Sequence, residues 1–212
     1  MVDAVCFDLD GTLIDSTDAI VDSFLHTFRT LKIPEPTRQR IIETISVPLE
    51  QQFAKLSVDD TDRATQIYRE HYRAEAPAKT TLLPGANSAI SQLSDAGLKL
   101  AIATSKRRSA AEPLLEYLGV LSAFEFCIGP EDVRHPKPHP ECLLLAMDRL
   151  QTKPESMIFV GDSQYDIRAA NAANVQCIAL TTGYSTAEEL QEHQPTVVLN
   201  NLHEVTRFVL PA

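Results

Sequence analysis

Short apolar runs alternate with helix-like segments along the larger, C-terminal part of the chain. The runs are rich in Val, Ile, Leu and Phe: "LKLAIAT" (98–104), "FEFCIG" (124–129), "SMIFVGD" (156–162), "VQCIAL" (175–180) and "TVVLN" (196–200). Between them, apolar residues recur at helical spacing, and glycines such as Gly97 and Gly119 mark helix ends. Strands that alternate with helices form a parallel sheet with helices on both faces. The sequence therefore predicts an α/β, Rossmann-like core, to which "VDAVCFDLD" (2–10) adds a further strand.

The segment between the first strand and the alternating region has a different pattern. Ile20, Phe24, Phe28 and Leu31 recur at helical spacing, and helix-like segments follow with no convincing strand before Leu82. We therefore predict an inserted helical cap at 15–83 and a core formed by residues 1–14 and 84–212. Hinges near 14–17 and 81–85 would allow the cap to move.

The composition argues against several classes of partner. The net charge of −10, from 29 acidic and 19 basic residues, disfavours non-specific binding to nucleic acid or anionic membranes. No apolar run reaches the roughly 18 residues of a membrane helix, and the N-terminal run is too short for a signal peptide. The scattered cysteines favour buried thiols over disulfides. We expect a soluble, cytoplasmic protein, either a monomer or a homodimer.

Polar side chains stand where the predicted strands end. Asp8 and Asp10 end the first strand, Thr104 and Asp162 end two others, and Lys137 lies in the loop after a fourth. Ligands of open α/β sheets bind beyond the carboxyl ends of the strands. We therefore expect these side chains to converge on one crevice.

The expected cluster combines acidic groups with donors for an anion. Asp8, Asp10, Asp162 and Asp166 offer the hard oxygen ligands that Mg²⁺ prefers when it bridges to phosphate. An aspartate that attacks phosphorus forms an aspartyl-phosphate, and a second carboxyl group can act as general acid and base.

Three further residues are suited to holding the phosphate. Lys137 supplies a compact positive charge. Thr104 and Ser105 supply hydroxyl groups and backbone N–H donors near a predicted helix start.

Four motifs, in this order, resemble those of the haloacid dehalogenase superfamily: "DLDGT" (8–12), "AIATS" (101–105), "KPHP" (137–140) and "GDSQYD" (161–166). The chain is most similar to the phosphoglycolate phosphatase-like subgroup, whose helical cap follows the first motif directly. The resemblance implies a phosphatase that uses Mg²⁺ and hydrolyses a small phosphorylated metabolite through a phospho-aspartate. The substrate would be a phosphomonoester, either phosphoglycolate-like or a sugar phosphate. One departure lies in the cap, where many relatives have Ile-Gly-x-Pro-Leu and this chain has "ISVPL" (45–49), with Ser46 in place of glycine; the substrate therefore stays open.

The resemblance also implies roles for single residues. Asp8 would be the nucleophile and a metal ligand, and Asp10 the general acid/base, with its carbonyl oxygen on the metal. Asp162 would be a further metal ligand, supported by Asp166. The phosphoryl group would be bound by residues of the second and third motifs, namely Thr104, Ser105 and Lys137.

Other activities on the same machinery stay open. Dehalogenases of the superfamily lack the second aspartate, so Asp10 favours phosphoryl transfer. The alternatives are a phosphosugar mutase or a pyrophosphatase, although the cap Arg-Gly motif of mutases is not found. A non-catalytic anion-binding protein is the alternative from another class.

Several of these residues also have a purely structural interpretation. Thr104 and Asp166 would then cap the helices that follow them. We expect the basic run Lys106, Arg107 and Arg108 to lie on a solvated helix face, although Lys106 could reach an anionic substrate. We expect His135 and His139, which flank Lys137, to pack or hydrogen-bond within their loop rather than to bind metal.

Overall fold

The computed structural model describes residues 2–45 and 47–210, so the sequence departure at Ser46 lies outside the described residues. The chain divides into two compact units. The core unit is Met1–Ile14 with Leu82–Ala212, and the helical unit is Asp15–Thr81. No helix within the described ranges is both long enough and apolar enough to cross a bilayer.

A parallel sheet forms the centre of the core unit, as the alternating sequence pattern predicts. Its six strands are β1 (Ala4–Phe7), β4 (Lys99–Ala103), β5 (Cys127–Ile128), β6 (Met157–Gly161), β7 (Gln176–Leu180) and β8 (Val197–Leu199). They lie in the order β5-β4-β1-β6-β7-β8, and each neighbouring pair is parallel. The short strands β2 (Ile14–Asp15) and β3 (Thr81–Leu82) form a separate pair.

Helices cover both faces of this sheet. They are α5 (Ala86–Asp95), α6 (Arg108–Tyr117), α7 (Glu141–Leu150), α8 (Gln164–Ala173), α9 (Ala187–Glu192) and α10 (Leu202–Val209). Side chains alternate along a strand, so Val5 and Phe7 of β1 pack with α5, α6 and α10. Ala4 and Cys6 point the other way and pack with α7, α8 and α9. Both faces of the sheet are therefore apolar, and the polar groups are confined to the strand ends.

The fold differs from the sequence prediction at the edge of the sheet. The predicted strand at 124–129 is reduced to Cys127–Ile128, which pairs only with β4. Phe124 instead packs edge-on against Phe7, with the ring centroids 6.4 Å apart. A short edge strand leaves few unpaired backbone groups, and an apolar run alone does not reveal this.

The helical unit is built around aromatic side chains. Its helices are α1 (Thr17–Leu31), α2 (Arg38–Ile42), α3 (Leu49–Lys55) and α4 (Thr61–Lys79). Phe24 of α1 lies 4.7 Å from Phe53 and 4.9 Å from Tyr68, measured between ring centroids. The helical periodicity of this segment thus reflects an apolar core of its own.

Candidate active site

Three adjacent strands bring the predicted site residues to one edge of the sheet. β1 lies between β4 and β6, and all three run in the same direction. Asp8 follows β1, Thr104 follows β4 and Asp162 follows β6. The backbone N–H of Asp8 still donates to the carbonyl of Val160, at 2.8 Å, so the first motif begins before the sheet pairing ends.

The ammonium group of Lys137 joins two of the aspartates. Its Nζ lies 2.9 Å from Oδ1 of Asp8 and 2.6 Å from Oδ1 of Asp166. The same Nζ donates to the carbonyl of Ala103 at 3.1 Å. The Lys137 side chain is only 4% exposed. Four separate stretches of sequence therefore meet at this buried cation.

Asp166 both caps a helix and contacts Lys137, so it fulfils the two roles that the sequence left open. Its Oδ2 accepts from the backbone N–H of Ser163 at 3.1 Å and from the Ser163 hydroxyl at 2.6 Å. This capping box begins α8. Because Oδ1 contacts Lys137, the helix cap fixes the carboxylate in the orientation that reaches the lysine.

Asp162 lies between two glycines that the sequence analysis did not single out for the site. Its Oδ1 accepts a hydrogen bond from the Thr12 hydroxyl at 3.1 Å. A Cβ atom at Gly183 would lie 1.7 Å from Oδ2, and one at Gly11 would lie 2.5 Å from the same oxygen. The Thr182 hydroxyl donates to the Gly11 carbonyl at 2.6 Å, which ties the two glycine segments together. Gly183 follows the carboxyl end of β7, and this position after a predicted strand could have identified it as a site residue from the sequence.

Asp10 has a different partner from Asp8. Its Oδ2 lies 3.0 Å from Nζ of Lys106, and the two side chains are 16% and 11% exposed. The expectation that Lys106 lies on a solvated helix face is therefore wrong. α6 begins only at Arg108, so Lys106 belongs to the turn after β4 and points back to the strand ends.

Thr104 shapes this turn rather than capping α6. Its hydroxyl oxygen accepts from the backbone N–H of Lys106 at 3.1 Å. Such a side-chain-to-backbone bond closes a tight turn after the strand. Ser105 lies half-buried in the same turn.

A divalent cation fits the acidic group next to Lys137. One oxygen each from Asp8, Asp162 and Asp166 lies within 4.8 Å of the other two, and all three residues are buried. With Asp10 included, four carboxylates of the described residues lie at the site, and the ammonium groups of Lys106 and Lys137 contact three of them. This excess negative charge and the all-oxygen donor set suit a hard divalent metal.

The pKa values of the buried carboxyl groups, in the absence of metal, also favour the binding of a cation. Burial raises the pKa of Asp8 to about 6, with Lys137 opposing and Asp166 adding to the shift. Burial also raises the pKa of Asp162, and Asp166 and Asp8 add to it. Burial would lower the pKa of Lys137, but the carboxylates of Asp166 and Asp8 outweigh it and raise that pKa. Further positive charge would stabilise this cluster.

Comparison with known proteins identifies the family. The family model described as haloacid dehalogenase-like hydrolase matches residues 5–180. The chain belongs to this family. The predicted membership and the hydrolase class are thereby confirmed.

Named relatives match nearly the whole of this haloacid dehalogenase-like hydrolase. "Probable phosphatase IndB" of Dickeya dadantii is 37% identical, over 95% of this chain and 90% of the relative. A pyrophosphatase, PpaX, of Halalkalibacterium halodurans is 32% identical, over 98% and 97%. A phosphoglycolate phosphatase of Shigella boydii is 31% identical, over 95% and 90%. The relatives support the phosphoglycolate phosphatase-like subgroup and an enzyme of the phosphatase type.

A solved structure confirms the predicted fold class. A haloacid dehalogenase-like family hydrolase from Streptococcus pneumoniae has a TM-score of 0.90 with 31% identity, and the match covers 99% of each chain. The parallel sheet with helices on both faces is thus the fold of the family.

Proposed function

We propose that this enzyme is a Mg²⁺-dependent phosphatase that hydrolyses a small phosphomonoester through a phospho-aspartate. The observation that carries the proposal is the contact of Lys137 with both Asp8 and Asp166, beside the oxygens of Asp162. A buried lysine among carboxylates provides a place for both a cation and a phosphate dianion. The family membership and the relatives named as phosphatases support the same reaction.

Mg²⁺ is the cation that this donor set suits. The proposed ligands are the carboxylates of Asp8 and Asp162 and the backbone carbonyl of Asp10, with Asp166 supporting the site. When bound, Mg²⁺ would neutralise carboxylate charge and polarise the phosphoryl group. Thr12 and the glycines at 11 and 183 hold Asp162 in place for this role.

Asp8 is the proposed nucleophile. Its carboxylate oxygen attacks phosphorus while the bond from phosphorus to the ester oxygen breaks, so the phosphoryl group is transferred to Asp8. Lys137 orients the Asp8 carboxylate, because its ammonium group donates a hydrogen bond to Oδ1 of Asp8. We propose that Lys137, Thr104 and Ser105 bind the phosphoryl oxygens.

Asp10 is the proposed general acid and base. It gives its proton to the departing ester oxygen, and later takes a proton from the water that attacks the phospho-aspartate. The products are the free alcohol, inorganic phosphate and regenerated Asp8. The contact between Asp10 and Lys106 supports a distinct role, because the ammonium group that Asp10 contacts differs from the one that contacts Asp8.

The helical unit is proposed to act as a cap. Its division from the core unit at Asp15 and Thr81 supports a separate function for this insert. Closure would exclude bulk water during phosphoryl transfer and would select substrates by size. Substrate-dependent protection of residues 14–17 and 81–85 from hydrogen exchange would test the proposal; unchanged exchange rates at saturating substrate would contradict it.

The reaction can be tested with p-nitrophenyl phosphate and MgCl₂. We expect turnover that EDTA abolishes and that added MgCl₂ restores. Asp8→Asn should be inactive, whereas Asp95→Asn, at the exposed end of α5, should retain full activity. The Asp10→Asn enzyme should accumulate a hydroxylamine-sensitive phosphoryl-enzyme, because p-nitrophenolate leaves without a general acid whereas hydrolysis of the phospho-aspartate needs the base. Turnover by folded Asp8→Asn, or in excess EDTA, would refute the mechanism.

The names of the relatives narrow the range of candidate substrates, whereas the site residues alone do not distinguish between them. The name of the Shigella boydii relative favours 2-phosphoglycolate, and that of the Halalkalibacterium halodurans relative favours pyrophosphate as a second candidate. Values of kcat/KM for both, within a panel of sugar phosphates and nucleotides, would decide between them. Pyrophosphate hydrolysis at least about tenfold more efficient than any monoester would favour the second candidate.

A further inference from the structure

A second group of metal-ligating side chains lies at the surface, in the loop that carries Lys137 and at the start of α7. We call it the His135–His139–Glu141 cluster. Each residue offers one ligand atom, and these atoms all lie within 4.8 Å of one another. The His135 and His139 side chains are 63% and 50% exposed, so an ion in solution can reach them. Contrary to the expectation from the sequence, we propose that this cluster binds a transition-metal ion of borderline softness, such as Zn²⁺ or Ni²⁺.

The spacing of the cluster is close to that of a metal site. Oε2 of Glu141 lies 2.9 Å from Nδ1 of His135 and 3.8 Å from Nδ1 of His139. Ligand atoms on a tetrahedral zinc ion, with bonds of about 2.1 Å, are about 3.4 Å apart. The two observed distances lie on either side of this value. The 2.9 Å contact is a hydrogen bond that Nδ1 of His135 donates to the carboxylate, so metal binding must release that proton. Small rotations of the two exposed imidazoles would then bring the ligand atoms closer to the tetrahedral spacing.

The Glu141 carboxylate is already oriented by two backbone N–H groups. The backbone N–H of Arg134 donates to Oε1 at 2.8 Å, and that of His135 donates to Oε2 at 3.1 Å. The bond from Arg134 and the contact with His135 lower the pKa of Glu141. Metal-ligating carboxylates are typically held by hydrogen bonds of this kind, which reduce the cost of ordering them.

His139 presents a lone pair to the cluster. The backbone N–H of Glu141 donates to Nδ1 of His139 at 3.3 Å. Because a backbone N–H can only donate, this nitrogen is the unprotonated one, and it is available as a ligand. A metal ion would replace this long hydrogen bond with a stronger interaction.

The backbone between the two histidines is stiff. Pro136, Pro138 and Pro140 alternate with His135, Lys137 and His139. Each proline ring fixes φ near −65°, so the loop loses little conformational entropy when a metal joins its two ends.

The cluster differs in chemistry from the carboxylate group around Lys137. Imidazole ligands suit zinc, nickel and copper, whereas carboxylate oxygens alone suit magnesium. Millimolar Mg²⁺ is therefore expected to occupy the oxygen site and to leave the histidines free for a second ion.

The test is calorimetric titration of the folded enzyme with ZnCl₂ in the presence of excess MgCl₂. We expect one zinc equivalent that the His135→Ala/His139→Ala double variant binds at least about tenfold more weakly. His193→Ala, the same substitution outside the cluster, should bind zinc like the unmodified enzyme. Equal stoichiometry and affinity in the double variant would overturn the proposal, as would zinc binding that only Asp162→Asn removes.

A second measurement needs no variant. Paramagnetic Ni²⁺ broadens the NMR signals of nuclei close to it, and substoichiometric NiCl₂ should broaden the imidazole signals of His135 and His139 before those of His193 and His203. Broadening that begins at other histidines, or that affects all of them equally, would also contradict the proposed site.

Discussion

Gly183 offers a sharp test of the proposed metal site, because a single methyl group there should displace Asp162. The φ angle of Gly183 does not fall in the left-handed region, so alanine carries no backbone strain at this position. Its Cβ would nevertheless lie 1.7 Å from Oδ2, 2.4 Å from Cγ and 2.6 Å from Cβ of Asp162. The effect of Gly183→Ala is therefore steric and directed at one carboxylate.

The size of the effect follows from these distances. Ordinary van der Waals contact begins at 3.4 Å, twice the 1.7 Å available, so the carboxylate or the Gly183 segment must move by well over 1 Å. Asp162 is only 2% exposed, and Gly11 limits its movement on another side. A misplacement of about 1 Å in a catalytic site costs about 10²-fold in rate. We expect kcat/KM to fall about 10²-fold, or about 2.7 kcal/mol in the activation barrier.

Metal affinity should fall with the rate. Disturbing the groups that position a metal ligand typically weakens metal binding about 10–100-fold, and the apparent Kd for Mg²⁺ from activity titrations should rise accordingly. Gly97→Ala is the matched control: its φ is +81°, but no atom lies within 4 Å of the added Cβ. It should lower stability by about 1–2 kcal/mol and leave kcat/KM unchanged. A Gly183→Ala enzyme with unchanged Mg²⁺ affinity and a kcat/KM within about threefold of the unmodified enzyme would refute the reasoning.

Three further results are expected. Lys137→Met leaves the buried carboxylates of Asp8 and Asp166 without their shared cation, and urea unfolding without metal should show a loss of about 3–5 kcal/mol. Lys106→Met removes an ammonium group that contacts Asp10, the proposed general acid and base. We expect kcat to fall by up to the roughly 10²–10⁴-fold that general acid–base catalysis contributes, with Lys106→Arg partly restoring it; an unchanged kcat would show that Lys106 does not support the proposed role of Asp10. Because the folded pKa of Asp8 is raised to about 6, above about 3.9 when unfolded, its ionisation destabilises the metal-free fold as pH rises from about 4 through 6. Stabilisation by MgCl₂ in urea unfolding should therefore be larger at about pH 7.5 than at about pH 5, and the reverse order would contradict the proposed charge balance.

The sequence predicts the architecture of the core well because burial dictates it. Strands covered on both faces become continuous apolar runs, and the pattern locates β4, β6 and β7 to within two residues at each end. Local patterns fail where pairing is set by distant neighbours. The edge strand β5 is much shorter than its apolar run, and β2 is a two-residue strand that pairs with β3, far away along the chain.

The site residues also fall into two groups: those that a local sequence pattern reveals, and those that only the fold brings to the site. Strand-end aspartates are visible in sequence because buried apolar runs seldom end in paired carboxylates without a reason. Lys106 lies in a basic run that resembles a helix surface, and only its turn after β4 directs it to Asp10. Gly183 has no chemical group to attract notice. Its importance lies in the missing Cβ next to Asp162, which depends on two strand ends meeting.

The pairing of lysines with aspartates suggests how one short loop supplies two carboxyl groups with different properties. Asp8 lies in a buried group in which carboxylates outnumber ammonium ions, so its ionised form depends on added positive charge. Asp10 lies two residues further on, slightly more exposed, and has Lys106 as its own partner. Acid and nucleophile roles are commonly separated by environment rather than by residue type. In the proposed mechanism, a metal ion bound to this group would keep Asp8 ionised for attack. Loss of the cation should therefore disable the proposed nucleophile.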